Sequence, residues 1–547
     1  MEGVHMVNTH KKYLMILEVS QKQAFIFKNN KLSQNIANSN LIEYVTASDY
    51  FDYIVNEVRK DNNCFYSEEK NMVYSGGGHT VLVFEDKEKA IEFAKMVTRD
   101  IKEKFSEIEY FVTISPLKEE NPAASLLELS KKLEKKKSIR KTAFEQTKFG
   151  FGLTEKESHF YKEEKQRQQY SNSRELDGER KLKEAGYQFV KEIDNLGMEE
   201  GKSNFIAVVH IDGNAMGERI QKLNEKTPEE NGLNGLPWEE YRKKLREFSD
   251  AIDADFKAAF SKMLLTIANN IEKYGLDEKL CLKEKNFPIR RIITAGDDIC
   301  FLTEGRIGIE ASAIFLEELS KLKNKVDQKG YSACAGICII HSKYPFYKAY
   351  ELAEELCSNT KKEMAKQYGT RNISALDWHI EFGELEESIS DIKEQYKTFE
   401  GENAGFLQLR PYAIYNGERE ETVQGILSYE EFLKYMKFLL DEDERVARSK
   451  LKELRGIFKQ GEKISKNFLK AYHLEPLIEY RNKTIAEQVV DNKTMEMYRE
   501  KKLTLQNIFY DITNLYEKNE KEGSDYRNLY FDGIEIMDCF LPLERGE

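Results

Sequence analysis

The chain has 547 residues, of which 33% are charged, 40% hydrophobic and 11% aromatic. At roughly 150 residues per domain this is material for three or four domains with full cores, and the abundant Phe and Tyr exclude wholesale disorder. The 84 basic and 96 acidic residues give a net charge of −12, which argues against coating of nucleic acid through net charge and leaves room only for a local basic groove.

No window carries the ~18 uninterrupted apolar residues of a membrane helix. The N-terminal apolar run is broken by Glu18 and lacks a small-residue cleavage site, so it is not read as a signal peptide. The seven cysteines are odd in number, scattered and without a CxxC pair, as expected of a chain in a reducing cytoplasm. Cys334 and Cys338 lie in an apolar run and read as buried core thiols.

In chain order, YLMILEVS reads as a buried strand, followed by helix, break and helix through residue 60. MVYSGGGHTVLVFE reads as a hairpin around a glycine turn. A helix, the strand IEYFVTISPL and the amphipathic helix SLLELSKKLEKKKS follow. Residues 142–202 are polar and read as an exposed linker ending in a helix near Leu182–Asp194. NFIAVVHIDGNAMGERI opens a new strand, and a loop near 223–237 leads to a long helix from Trp238 to Tyr274. Then come the hairpin RRIITAGDDICFLTEG, the helix GIEASAIFLEELSKLKNKV, the strand YSACAGICIIHS and the helix PFYKAYELAEELCSNTKKEMAKQ. From about 384 to 518 the chain reads as mostly helical.

The order strand, helix, hairpin, helix, strand, helix thus occurs twice, which is the pattern of a ferredoxin-like or palm sheet. The expected fold class is α/β (α+β): two nucleotide-cyclase-type palm domains facing each other, followed by a helical domain. The boundaries are 1–120 for a degenerate first palm, 121–202 for a linker, 203–383 for a catalytic second palm and 384–547 for the helical C-terminus.

Chemistry concentrates in the second copy. Asp212 ends the strand FIAVVHI, and Asp297 and Asp298 occupy the turn of the second hairpin. On neighbouring strands these carboxylates converge, at a cost that a divalent cation would offset. Mg²⁺ or Mn²⁺ suits such oxygen ligands and supports in-line phosphoryl displacement. A lone Gly-Asp-Asp is an ordinary turn; it gains meaning from the second strand-end carboxylate. Gly213, Gly217 and Gly296 would let backbone approach a triphosphate, and Lys361, preferred over Lys362 by register, would reach its phosphates. In the first copy Gly78 and His79 replace the two hairpin aspartates and Glu18 replaces Asp212, so only one catalytic centre is expected. Ser75, Gly76, Gly77 and Gly78 could still admit a nucleotide.

These residues resemble the large polymerase–cyclase subunit of type III CRISPR effector complexes, a family with paired palm domains. LEVSQKQAFIFKNNKLSQNIANSNLI is similar to the family's first-palm opening, YSGGGHTVLVF to its silent hairpin, HIDGNAMG to its metal strand and AGDDICFL to its Gly-Gly-Asp-Asp hairpin. YPFYKAYELAEELCSNTKK and SALDWHI are similar to its closing helix and strand. The resemblance implies metal binding at Asp212, Asp297 and Asp298, with Ile211 in the same set, phosphate binding at Lys361, and synthesis of cyclic oligoadenylates from ATP. Ala295 replaces the hairpin's first glycine, and Asn214 stands where many members have an acid. The His-Asp nuclease signature and the zinc cluster between the palms are missing, as expected of a stand-alone or divergent relative.

The expected activity is that of a metal-dependent nucleotidyltransferase and cyclase, with Mg²⁺ or Mn²⁺ as cofactor and ATP as substrate. Alternatives are a different palm-cyclase product, a subunit of a guide-RNA complex, or a nucleotide- or RNA-binding relative without turnover. Candidate partners are nucleoside triphosphates, RNA, CRISPR complex subunits and a second copy of the chain; no membrane is expected.

Overall fold

The computed structural model describes residues 11–28, 31–59, 66–139, 175–196, 205–224, 235–283, 285–368, 372–381, 388–398, 405–414, 427–441, 448–474, 508–512 and 525–545. The first unit comprises β1 (Tyr13–Val19), α1 (Leu32–Val45), β2 (Met72–Gly76), β3 (His79–Phe84), α2 (Lys87–Lys104), β4 (Tyr110–Pro116) and α3 (Pro122–Ser138). Its sheet has the order β2-β3-β1-β4, with β1 antiparallel to both neighbours. α2 starts where the Asp86 side chain accepts the Lys89 N–H, and α3 where Asn121 caps a first turn opened by Pro122.

The second unit repeats this plan. β6 (Phe205–Gly213), the long α6 (Trp238–Tyr274), β8 (Ile289–Ala295), β9 (Asp298–Glu304), α7 (Gly308–Ser320), β10 (Ala333–His341), α8 (Phe346–Tyr368) and β11 (Ser374–Glu381) follow in that order. Between the units lie α4 (Asp177–Glu184) and β5 (Gln188–Phe189), and within the second unit lie α5 (Met216–Lys222) and β7 (Asn286–Phe287). Four consecutive strands of the second sheet, β8-β9-β6-β10, match the first sheet position for position. β11 adds in parallel to β10, and β12 (Tyr412–Ile414) closes that edge.

Both faces of β6 are buried, which explains its unbroken apolar run. Ala207, Val209 and Ile211 pack in the core that holds α6 and α7. Ile206 and Val208 share the opposite core with Met15, Leu17 and Val19 of β1. The two units therefore have no separate interiors. Their helices are exchanged as well: α1 packs on β8, while α6 packs on β2.

Several expectations shift. The linker helix is Asp177–Glu184, not Leu182–Asp194. Gly186, at φ 89°, ends it, and Gln188–Phe189 pairs with Asn286–Phe287 as Phe189 and Tyr187 pack on the Phe287 ring. The helix after the second hairpin stops at Ser320. Most of the linker, 140–174 and 197–204, lies outside the described residues, as does much of the loop near 223–237.

The segment from 384 onward is not purely helical. Besides β12 it holds the small sheet β13 (Phe509–Asp511) with β14 (Tyr526–Asn528), and helices α9 (Tyr429–Leu440), α10 (Arg448–Phe458), α11 (Glu462–Ala471) and α12 (Phe531–Ile536). It shares the second unit's core. The fully buried Arg410 ties it there, bonding Asp532 at 2.6 Å and Glu535 at 2.8 Å on α12 and Asp377 of β11 at 3.1 Å. Cys334 and Cys338 are buried free thiols, as expected. Among the described residues no helix is long and apolar enough to cross a membrane.

Candidate active site

Asp212 is the penultimate residue of β6 and the direct register partner of Asp298, the first residue of β9. Asp297 stands in the turn between β8 and β9, where its carbonyl accepts the Gly213 N–H at 3.1 Å. Gly296 completes the turn at φ 67°, a backbone state open to glycine. Gly213 is required for a different reason: a Cβ there would lie 2.7 Å from the Asp297 Cβ. The sequence thus delivers three carboxylates to one sheet end by strand register and a tight turn.

Burial and the charge of Asp212 raise both Asp297 and Asp298 to about 7. Lys361 opposes this, its Nζ 2.5 Å from Asp212 Oδ2 and 2.7 Å from the Gly213 carbonyl oxygen. Packing explains why this lysine arrives and Lys362 does not. Gly336 of β10 has no side chain, and a Cβ there would sit 2.0 Å from the Ala353 carbonyl of α8. The helix lies directly on the strand, with the Cys357 thiol donating to the Cys334 carbonyl at 3.1 Å. Cys334 is Asp212's partner on β10, and Lys361 follows Cys357 by one turn on the same helix face. Lys362 is exposed.

Asp212, Asp297 and Asp298 do not form a preassembled metal cage. Among the described residues no three His, Cys, Asp or Glu side chains gather as a metal-holding group, and Asp212 is engaged by Lys361. The donors nonetheless fit a hard cation. Asp298 Oδ1 is buried without a hydrogen-bond partner, and His210 Nδ1 stands 3.6 Å from it. An orphaned carboxylate oxygen on the register partner of Asp212 offers the hard oxygen donor that Mg²⁺ or Mn²⁺ takes. Ile211 has no side-chain donor and is fully buried, so it could contribute only its backbone carbonyl. Asn214 is turned away, donating to the Ile373 carbonyl at 2.9 Å and lying within 3.3 Å of Ser332 Oγ.

A cavity of about 290 Å³ lies between the two units and is lined by Ser75, Gly76, Gly77, Gly78, Gly296 and Asp298 among others. Ser75 Oγ donates to the Thr46 carbonyl at 2.9 Å, and the Gly78 carbonyl accepts the Val19 N–H at 3.0 Å. Gly77 turns at φ 58°. Gly217 is exposed with open space where a side chain would go, so nothing around it requires glycine.

The first unit reproduces the frame without the acids. Glu18 is the register partner of His79, and Lys137 of α3 bonds Glu18 at 2.7 Å as Lys361 bonds Asp212. Burial holds His79 down to about 4, so it is neutral.

Sequence reasoning missed two cavity residues. Asp253 of α6 accepts the Gly296 N–H at 3.2 Å and pairs with Lys257 at 2.7 Å, pinning the aspartate turn. Lys22, in the short helix Lys22–Ile26, donates to the Gly77 carbonyl. Lys22 lies within the first-palm string but nothing in it singled out this residue, and no motif marked Asp253, because both act through tertiary packing.

Paired ferredoxin-like sheets, with two aspartates at one hairpin and a third at the end of the adjoining strand, define a palm-type protein. Residues 205–374 match the Cas10/Cmr2 second palm domain, so the resemblance to the type III CRISPR polymerase–cyclase subunit holds over this segment. Among solved structures, the apo Csm1–Csm4 cassette is similar at 13% identity and a TM-score of 0.48, over 97% of this chain and 70% of that one. The cassette in complex with cA4 is similar at 14% identity and a TM-score of 0.42, over 65% of this chain and 53% of that one. With one ATP bound, the cassette gives 14% identity and a TM-score of 0.43. The chain thus spans about half the length of the cA4-bound chain it matches. No curated protein matches it.

Proposed function

We propose that the chain is a metal-dependent nucleotidyltransferase and cyclase that converts ATP, or another nucleoside triphosphate, into a cyclic oligonucleotide signal in antiviral defence. The observation that carries this reading is the register pairing of Asp212 with Asp298, next to Asp297, at the sheet end beside a cavity shared by both palms. Asp212, Asp297 and Asp298 would hold the divalent cation, which when bound activates the attacking hydroxyl and neutralises phosphate charge. Lys361 would exchange Asp212 for a β- or γ-phosphate oxygen of the nucleotide on the second palm. Asp253 fixes the turn carrying Asp297 through the Gly296 N–H. Within the glycine run Gly76–Gly78, Gly76 and Gly77 would place the acceptor nucleotide, because a Cβ at either would meet nothing nearer than 3.7 Å. His79 and Gly78, in place of aspartates, leave that nucleotide without its own activating carboxylates.

A second reading is a non-catalytic subunit of a guide-RNA complex. It draws on the Lys361–Asp212 pair, which occupies one of the three carboxylates. Incubation with each labelled nucleoside triphosphate and Mg²⁺ or Mn²⁺, followed by mass spectrometry, separates the two. A cyclic or linear 3′–5′ product that disappears in Asp297→Ala supports the enzyme. Absence of product with every triphosphate and both metals favours the binding subunit.

A further inference from the structure

The cavity between the palms is lined by four cations, Lys22, Arg246, Lys257 and Arg291. Three have carboxylate partners: Arg246 with Glu68, Lys257 with Asp253, and Arg291 with Glu179. Lys22 differs. Among the described residues its ammonium bonds only a backbone carbonyl, that of Gly77. It comes from the first palm, yet its charge acts both on Asp298 of the second palm and on His79 of the first. Lys22 and Gly78 of the first palm line the same cavity as Asp298 of the second.

Its placement is enforced locally. A Cβ at Gly78 would lie 2.7 Å from Lys22 Cδ and 2.9 Å from Ile42 Cγ2, so the glycine run makes room for the lysine stem. A half-buried ammonium held by one neutral acceptor, in a cavity that also holds acidic side chains, is a site for an incoming anion. Glu43, Asp49 and Glu68 of the first palm also line the cavity, but its hairpin turn carries Gly78 and His79 where the second carries aspartates, and the cation held at that turn is Lys22.

We propose that Lys22 is a phosphate-binding residue that the first palm supplies to the shared cavity, leaving the Gly77 carbonyl for a phosphate oxygen when a nucleotide enters. This rests on the reading of the cavity as a nucleotide site and adds a binding group to it. The site is thereby composite: the metal carboxylates come from one palm and an anion-binding lysine from the other.

The test compares binding of α,β-methylene-ATP and of adenosine, in Mg²⁺, by wild type, Lys22→Met and Lys22→Arg, with turnover measured in parallel. Loss of one charge-assisted contact should weaken the triphosphate by about tenfold in Lys22→Met. Adenosine affinity should stay unchanged, and Lys22→Arg should restore most of the triphosphate affinity. Gly77 O would then face the cavity and solvent, so the melting temperature should hold. Equal weakening of both ligands, or of neither, overturns the proposal, as does a wild type that binds no triphosphate. A wild type that binds the analogue but forms no product from any triphosphate overturns the cyclase reading alone, and the Lys22 comparison still decides this one.

Discussion

Asp298 and His79 occupy the same place in two hairpins. Each opens the second hairpin strand and faces an acid on the central strand, Asp212 in one case and Glu18 in the other. Each of those acids is held by a lysine from the helix that follows the fourth strand, Lys361 or Lys137. The frame of the site is therefore duplicated, and the chemistry differs by two side chains at one turn.

The first consequence is a pH dependence. Asp297 and Asp298 are raised to about 7 by burial and by Asp212, whereas unfolded aspartates titrate near pH 4, about 3.9. Between these values the folded chain binds more protons than the unfolded chain. Stability is thus fullest below about pH 4 and falls as pH rises toward 7. With a discount for partial exposure and coupling, the loss is on the order of 2 kcal/mol. In EDTA, the melting temperature of Asp297→Asn should decline less than that of wild type between pH 5 and pH 8. Parallel declines would show that the carboxylates are not crowded.

Metal stoichiometry should separate the two palms. Mn²⁺ binding, followed by electron paramagnetic resonance, should be lost in Asp297→Ala and retained in Glu18→Gln. Turnover should vanish in Asp297→Ala and in Asp212→Ala, with thermal stability equal or raised, because repulsion is relieved. Loss of folding in both variants would assign these residues a structural role instead.

Lys361→Met should raise KM for the triphosphate about tenfold through loss of a charge-assisted phosphate contact. It also removes the cation that restrains Asp297 and Asp298, so their titration should move further up. An unchanged KM would leave Lys361 as a structural partner of Asp212.

Gly77→Val should impair bond formation through misplaced acceptor nucleotide, with metal-dependent triphosphate binding at the second palm retained. A displacement of about 1 Å can cost on the order of 100-fold in rate. Asn tolerates the left-handed backbone of this position far better than Val, so Gly77→Asn should be milder. Equal, undiminished turnover in both variants would reduce the first palm to a scaffold.

Arg410→Leu should cost about 3–5 kcal/mol, because Asp377, Asp532 and Glu535 lose the buried cation they share. The loss should appear as one cooperative transition of the second palm together with the C-terminal segment. Separate melting of that segment would show that the shared core does not couple them.

The two sheets, both glycine hairpins and the convergence of Asp212, Asp297 and Asp298 could be read from apolar runs and turn residues, since these are local signals. Lys361 over Lys362 was also legible, because helical periodicity decides which lysine faces the strand. β12 was not: Tyr412–Ile414 is too short for a period-two pattern, and its place at a sheet edge depends on β11. Asp253 sits among many charges on a 37-residue helix, and only the packing of that helix brings it to Gly296. Lys22 was hidden similarly, since its partner is a backbone carbonyl, which no side-chain pattern encodes. The Lys361–Asp212 bond itself was unexpected, because its partners lie 149 residues apart and no local pattern pairs them.

The reciprocal packing of α1 on β8 and α6 on β2 gives one polypeptide the arrangement of a two-fold homodimer. In a true homodimer every substitution is made twice, so a residue that helps one half-site and harms the other cannot be kept selectively. Covalent linkage of the two copies removes that constraint. Aspartates can persist in one half while a neutral histidine and a lysine settle in the other, and donor and acceptor roles become properties of position in the chain.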